Sequence, residues 1–310
     1  MATLKGQNFR ICVFDHIDTE DIHHDVFKVI GMATGCTVTL TNNTDESSTK
    51  DDVGMASKPT TTSKSWQVSV DSLNVADAAA ILAAIKAMEP ITIMWDETEI
   101  TDNQSREKAT FARKGLAYLN DCTFQFDDRT NSTKQLQFTG ASALETVGSS
   151  DAVDVIALGS YTKGQFVRLF LGSDNTAAPT TVIAAAKTLS LHVSLTMESS
   201  STKDTTGDFD VQEPTGLSYD ISTGALVRSG ETITSSVGAK SLSDLETIYE
   251  NGTPVKWKIA NVSGDNNRTA SSTIISGSCL LTQLAINAPN RANADYTATL
   301  NGYGDYQVSA

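Results

Sequence analysis

Hydrophobic and polar positions alternate with a period of two along much of this chain. Val38 and Leu40 flank a threonine, and Leu191, Val193 and Leu195 alternate with His192 and Ser194. The sets Trp66, Val68, Val70 and Tyr219, Ile221 read the same way, as do Ile91, Ile93, Trp95 and Val255, Trp257, Ile259. Such alternation predicts strands of a sheet with one buried face. Unbroken apolar runs near 9–14 and 166–171 predict further strands, and two closing strands follow in each half. There Cys122, Phe124 and Phe126 face Leu136 and Phe138, while Leu284 and Ile286 face Tyr296, Ala298 and Leu300. The turns between them, Asp127-Asp128-Arg129-Thr130-Asn131 and Pro289-Asn290-Arg291-Ala292-Asn293, have turn chemistry.

Only two stretches carry apolar residues at helical spacing. Val75, Ala78, Ala79, Leu82 and Ile85 predict a helix near 74–89, with Asn74 as its cap and Pro90 beyond its end. Leu242, Leu245, Ile248 and Tyr249 predict one near 241–251, capped by Ser241 with Asp244 in its first turn and stopped by Asn251-Gly252 and Pro254.

The elements come in the same order twice. Gly6-Gln7 and Arg10 match Gly164-Gln165 and Arg168, and Ser48-Thr49-Lys50-Asp51 recurs as Ser201-Thr202-Lys203-Asp204. Trp66, Val68 and Leu73 align with Tyr219, Ile221 and Leu226. Gly115, Leu119, Arg129, Asn131 and Gly140 align without a gap with Gly277, Leu281, Arg291, Asn293 and Gly302. The shared order points to an internal repeat. The expected fold is therefore mainly β with one helix per domain (α+β), as two tandem β-sandwich or small-barrel domains. These span 1–142 and 164–310, with 143–163 as a linker in which Val153, Val155 and Ile156 form an extra strand. A long polar loop is expected in each copy, near 42–64 and 196–217. Open strand edges on such a domain invite pairing with another domain.

Composition narrows the function. The chain has 37 acidic against 23 basic residues, a net charge of −14, which is opposite to what a phosphate-binding surface needs. Cys12, Cys36, Cys122 and Cys279 stand singly among apolar residues and read as buried free thiols. The N-terminus lacks the apolar core of a signal peptide and no run of about 18 apolar residues follows, so cytoplasmic synthesis and no membrane span are expected. Metal-ligating residue types gather at Asp15, His16, Asp18, Glu20, Asp21, His23, His24 and Asp25, but the matching stretch, Gly172 to Pro179, has no histidine. A solvated loop is the reading, with no metal and no cofactor. His192 reads as a strand-face position. No nucleophile motif, phosphate loop or metalloprotease signature is present, so no enzyme activity is expected.

Two segments resemble a known family, the major tail tube proteins of long-tailed bacteriophages. One runs from Cys36-Thr-Val-Thr-Leu40 through Ser48-Thr-Lys-Asp51 to Ser65-Trp66-Gln-Val68. The other is Gly277-Ser-Cys-Leu-Leu-Thr-Gln-Leu284, Ala288-Pro289-Asn290 and Asp295-Tyr296-Thr-Ala-Thr-Leu300-Asn-Gly302-Tyr-Gly304. The resemblance implies a non-catalytic structural subunit of the virion tail, assembled in the host cytoplasm. Its rings would stack into a hollow tube with an acidic lumen through which DNA passes unbound. Its partners would be copies of itself and other tail proteins: a terminator, a tape measure and, in a contractile tail, a sheath. The family usually carries one such domain per chain in six-membered rings, so a doubled chain implies a ring of three. The polar loops would contact the neighbouring ring through Lys50, Asp51, Lys203 and Asp204. Alternatives are the tube of a contractile injection or type VI-like secretion system, which shares the fold, and a β-rich adhesin or carbohydrate-binding module.

Overall fold

The computed structural model describes residues 9–15, 26–30, 33–48, 57–73, 78–97, 112–147, 152–154, 162–202, 208–227, 239–263 and 269–309. Within them the chain is mainly β, with two α-helices and a short 3-10 turn at Gly164–Phe166. The first half contains β1 (Phe9–Asp15), β2 (Val26–Val29), β3 (Ala33–Glu46), β4 (Pro59–Leu73), α1 (Ala78–Ala87), β5 (Ile91–Glu97), β6 (Arg113–Gln125), β7 (Thr133–Gly140), β8 (Glu145–Thr146) and β9 (Ala152–Asp154). The second contains β10 (Val167–Leu171), β11 (Thr181–Ile183), β12 (Ala186–Ser199), β13 (Gln212–Leu226), β14 (Ala239–Lys240), α2 (Leu242–Asn251), β15 (Val255–Ser263), β16 (Thr269–Asn287), β17 (Asp295–Gly302) and β18 (Gln307–Val308).

The strands form one continuous sheet. In the first half the neighbours run β9-β2-β1-β5-β6-β7-β4-β3. In the second they run β14-β11-β10-β15-β16-β17-β13-β12. The short strands β8 and β18 add to β6 and β16. Pairing is antiparallel except at the outer pairs β2–β9 and β11–β14.

The registers repeat as well as the order. Val38 faces Val68 as Leu191 faces Ile221. Ile91 faces Ala117 as Val255 faces Cys279. A register break lies between Leu119 and Asp121 in β6, and another at the aligned place, between Leu281 and Gln283, in β16. A bulge re-aims a strand, so both long strands bend at the same point.

The aligned glycines make room for an aromatic ring. An added Cβ at Gly140 would lie 2.3 Å from Cε2 of Trp66, and one at Gly302 would lie 2.5 Å from Cε1 of Tyr219. Gly115 and Gly277 close on the same two rings. The indole of Trp66 donates to the Ser142 carbonyl (2.8 Å), and the Tyr219 hydroxyl to the Ser278 carbonyl (2.6 Å). These two rings thus each keep a partner for their polar atom. The main apolar cluster is continuous across the halves, from Trp66 and Phe138 to Val193, Trp257 and Leu300.

Both helices form where the apolar spacing predicts, although 74–77 lie outside the described residues. Ser241 caps α2 in a reciprocal capping box with Asp244, and Gly252 ends it at φ 59. Helix α1 ends before Met88, which takes the left-handed φ of 56 without being glycine.

One expectation is corrected. The polar segments 42–64 and 196–217 are strand at both ends: β3 runs on to Glu46 and β4 starts at Pro59, while β12 runs on to Ser199 and β13 starts at Gln212. They are hairpin arms solvated on both faces, so no alternation marks them. The segment 143–163 carries in part the extra strand expected there: Val153 lies in β9, while Val155 and Ile156 lie outside the described residues. Its β8 and β9 pair back onto β6 and β2 of the first half.

Candidate functional site

The halves meet edge to edge. The C-terminal part of β6 pairs antiparallel with β12, placing Gln125 opposite Ser190, Phe124 opposite Leu191, Thr123 opposite His192, Cys122 opposite Val193 and Asp121 opposite Ser194. One edge of β6 carries β8 and β7; the other carries β5 and then β12. On the inner face Phe124, Leu191, Cys122 and Val193 are all buried.

On the outer face the joint is charged. His192 on β12 sits between carboxylates of the two flanking strands: Nε2 is 2.7 Å from Asp121 on β6 and Nδ1 is 2.9 Å from Asp220 on β13. An imidazolium can donate at both nitrogens, which matches two acceptors. Burial opposes that charge, but the hydrogen bonds and charges of Asp121 and Asp220 outweigh it and hold the imidazole above its ordinary 6.5. Sequence reasoning gives His192 only as a strand-face residue. Its partners lie 71 and 28 positions away, so only the strand order brings them together.

Two further contacts join the halves. The second arm crosses the first: Lys64 and Asp208 form a 2.8 Å ion pair, and Asp210 accepts from Ser63 and Asn43 at 2.9 and 3.0 Å. Helix α1 packs on β6, β12, β16 and β18. The buried Tyr306 hydroxyl donates to the Leu82 carbonyl at 2.8 Å, and Lys86 donates to the Tyr306 carbonyl while lying over its ring.

The counterparts of the joint have no described strand on one edge. Strand β3, which corresponds to β12, has β4 on one edge and no described strand on the other. The stretch Gln283–Asn287 of β16, which corresponds to Asp121–Gln125, has β17 on one side and no described strand on the other. Leu40 is 64% exposed and Ile286 53%, whereas their counterparts Val193 and Phe124 are fully buried.

Lys50, Asp51, Lys203 and Asp204 lie outside the described residues, as do His16, His23, His24 and the rest of that acidic stretch beyond Asp15. Among the described residues no group of three or more histidine, cysteine or acidic side chains is placed to hold a metal ion. A shallow recess at the joint is lined by Phe126, Asp128, Val167, Leu169, Lys187 and Thr223.

No protein-family model matches the chain, and no curated protein matches it. Among solved structures, the SPP1 tail tube is similar at 14% identity over 46% of this chain and 75% of its own, with a TM-score of 0.34. The tail of an empty gene transfer agent particle, refined with C6 symmetry, is similar at 12% identity over 48% of this chain and 99% of its own, with a TM-score of 0.33. The virion of a native gene transfer agent gives 13%, 48%, 99% and 0.33.

Proposed function

We propose that this chain is a structural, non-catalytic subunit of a phage tail tube, made of two tandem units spanning 1–142 and 164–310. Three chains close one ring of six similar units, and rings stack into a tube. One observation carries the reading: within a single chain, two halves of the same strand order and register are already joined edge to edge through β6 and β12. A ring of such units needs that joint repeated, and closure removes the exposed edges a lone unit leaves. The sequence resemblance at Cys36–Val68 and Gly277–Gly304 supports the same reading.

The charge of −14 fits a wall that repels phosphate, so that DNA passes through the lumen unbound. The arms β3–β4 and β12–β13 are the parts suited to reach the next ring. A hairpin arm of about ten residues reaches roughly 30 Å, which would carry Lys50, Asp51, Lys203 and Asp204 towards a neighbour. Tail terminator, tape measure and sheath proteins are the partners this role would bring.

Electron microscopy of the purified protein tests the proposal. Stacked rings with three chains per layer are expected. Six chains per layer would overturn the trimer, and monodisperse globules at all concentrations would overturn the tube.

A further inference from the structure

We propose that chains join head to tail by strand addition, with β3 of one chain pairing antiparallel with Gln283–Asn287 of β16 of the next. In this register Leu40 lies opposite Leu284 and Val38 opposite Ile286. The inference rests on reading the two halves as equivalent ring units, and it adds the partner surface and its residue-level register.

The register follows from the joint inside the chain. Leu191 faces Ile221 on β13 as Val38 faces Val68 on β4, so Leu191 and Val193 correspond to Val38 and Leu40. The matched breaks in β6 and β16 make Asp121, Cys122 and Phe124 correspond to Gln283, Leu284 and Ile286. Inside the chain Val193 faces Cys122 and Leu191 faces Phe124. Transferring those pairs gives Leu40 with Leu284 and Val38 with Ile286 of the next chain. Thr41, Thr39 and Thr37 would then face Gln283, Ala285 and Asn287.

Three features of the open edges fit this occupant. Both are edges of long strands with no described strand alongside, and such an edge pairs with another strand of complementary pattern. Leu40 and Ile286 are two of six large apolar side chains left exposed among the described residues, and both fall in this short register. A third is Tyr249 of α2, exposed one position after buried Ile248. In α1 the residue after buried Ile85 is Lys86, which contacts Tyr306 across the internal joint. Tyr249 thus occupies the place from which α2 would reach the next chain.

The outer face distinguishes the two joints. The aspartate–histidine–aspartate set Asp121, His192 and Asp220 has Gln283, Thr39 and Gln67 as its counterparts. The joint between chains is therefore uncharged where the internal joint is ionic.

Cysteine cross-linking of assembled full-length protein tests the register. Facing residues of an antiparallel pair have Cα atoms about 4.5–5.5 Å apart, within disulfide reach. The native Cys12, Cys122 and Cys279 are buried and Cys36 half-buried, four positions from Leu40. After mild oxidation, the double variant Leu40→Cys/Leu284→Cys should run on a non-reducing gel mainly as covalent multimers, at least tenfold above either single variant. Efficient cross-linking of Leu40→Cys alone would indicate two β3 edges pairing with each other and overturn the proposal. Cross-linking of Leu284→Cys alone, through Cys36, would overturn the register. Rings visible by microscopy without enhanced cross-linking in the double variant would overturn the joint and leave the tube reading standing. Failure of the wild-type chain to assemble at any concentration would overturn both.

Discussion

Gly140 and Gly302 show how small a change the core tolerates. Each lies where a methyl group would enter an aromatic ring, Trp66 or Tyr219, that is itself buried. Overpacking of this kind costs about 1–3 kcal/mol, so Gly140→Ala and Gly302→Ala should each lower the urea midpoint with little change in slope. A wild-type midpoint in both would refute the packing account. The pairing of these glycines was legible as aligned positions, and so was the aromatic that each accommodates. His192 was not, because cross-strand partners leave no local signature. Its pKa is raised in the folded chain, so its contribution to stability is complete below about 6.5, the unfolded value, and is lost as pH rises through the higher folded value. Stability of the wild type should decline across that window, and His192→Gln should flatten the decline. A His192→Gln curve parallel to wild type would show that Asp121 and Asp220 do not hold the charge. The side chain is 36% exposed, so solvent screening keeps the effect modest.

Helix α2 is an element whose limits were legible to the residue. Ser241, Asp244 and Gly252 supply the cap, the reciprocal acceptor and the left-handed stop. Ser241→Ala should cost about 1 kcal/mol of unfolding free energy, measured by denaturant titration, while Ser243→Ala, outside the box, should cost less. The arms were misread for a physical reason. A two-stranded arm solvated on both faces has no side that must be apolar, and Thr, Ser and Asn are as suited to turns as to exposed ladders. The short strands β8, β14 and β18 were illegible for a related reason. Two or three residues hold no period, and only the edge they join gives them their conformation. The continuity of β6 with β12 was invisible for the same cause, since each strand alone reads as an ordinary half-buried one.

At the scale of the whole molecule, the repeat set the order of elements, and the register carries it into space. A ring built on the internal joint should dissociate at the joints between chains first, since these are non-covalent and lack the linker that keeps the halves together. Dilution of assembled protein should therefore release whole folded chains, with light scattering falling before circular dichroism or tryptophan fluorescence changes. Simultaneous loss of both signals would refute that order. The two open edges also differ from each other, since β3 is an apolar–threonine strand and Gln283–Asn287 is the end of a bent one. In the language of polymer chemistry the chain is then an AB monomer: it grows only by A meeting B, and it either cyclises or extends with a fixed direction. A chain whose B edge is blocked, such as Ile286→Glu, still offers A and so acts as a chain stopper. Mixed into wild type in minor proportion, it should reduce closed rings by more than its own share, whereas an inert bystander would reduce them only in proportion to its amount.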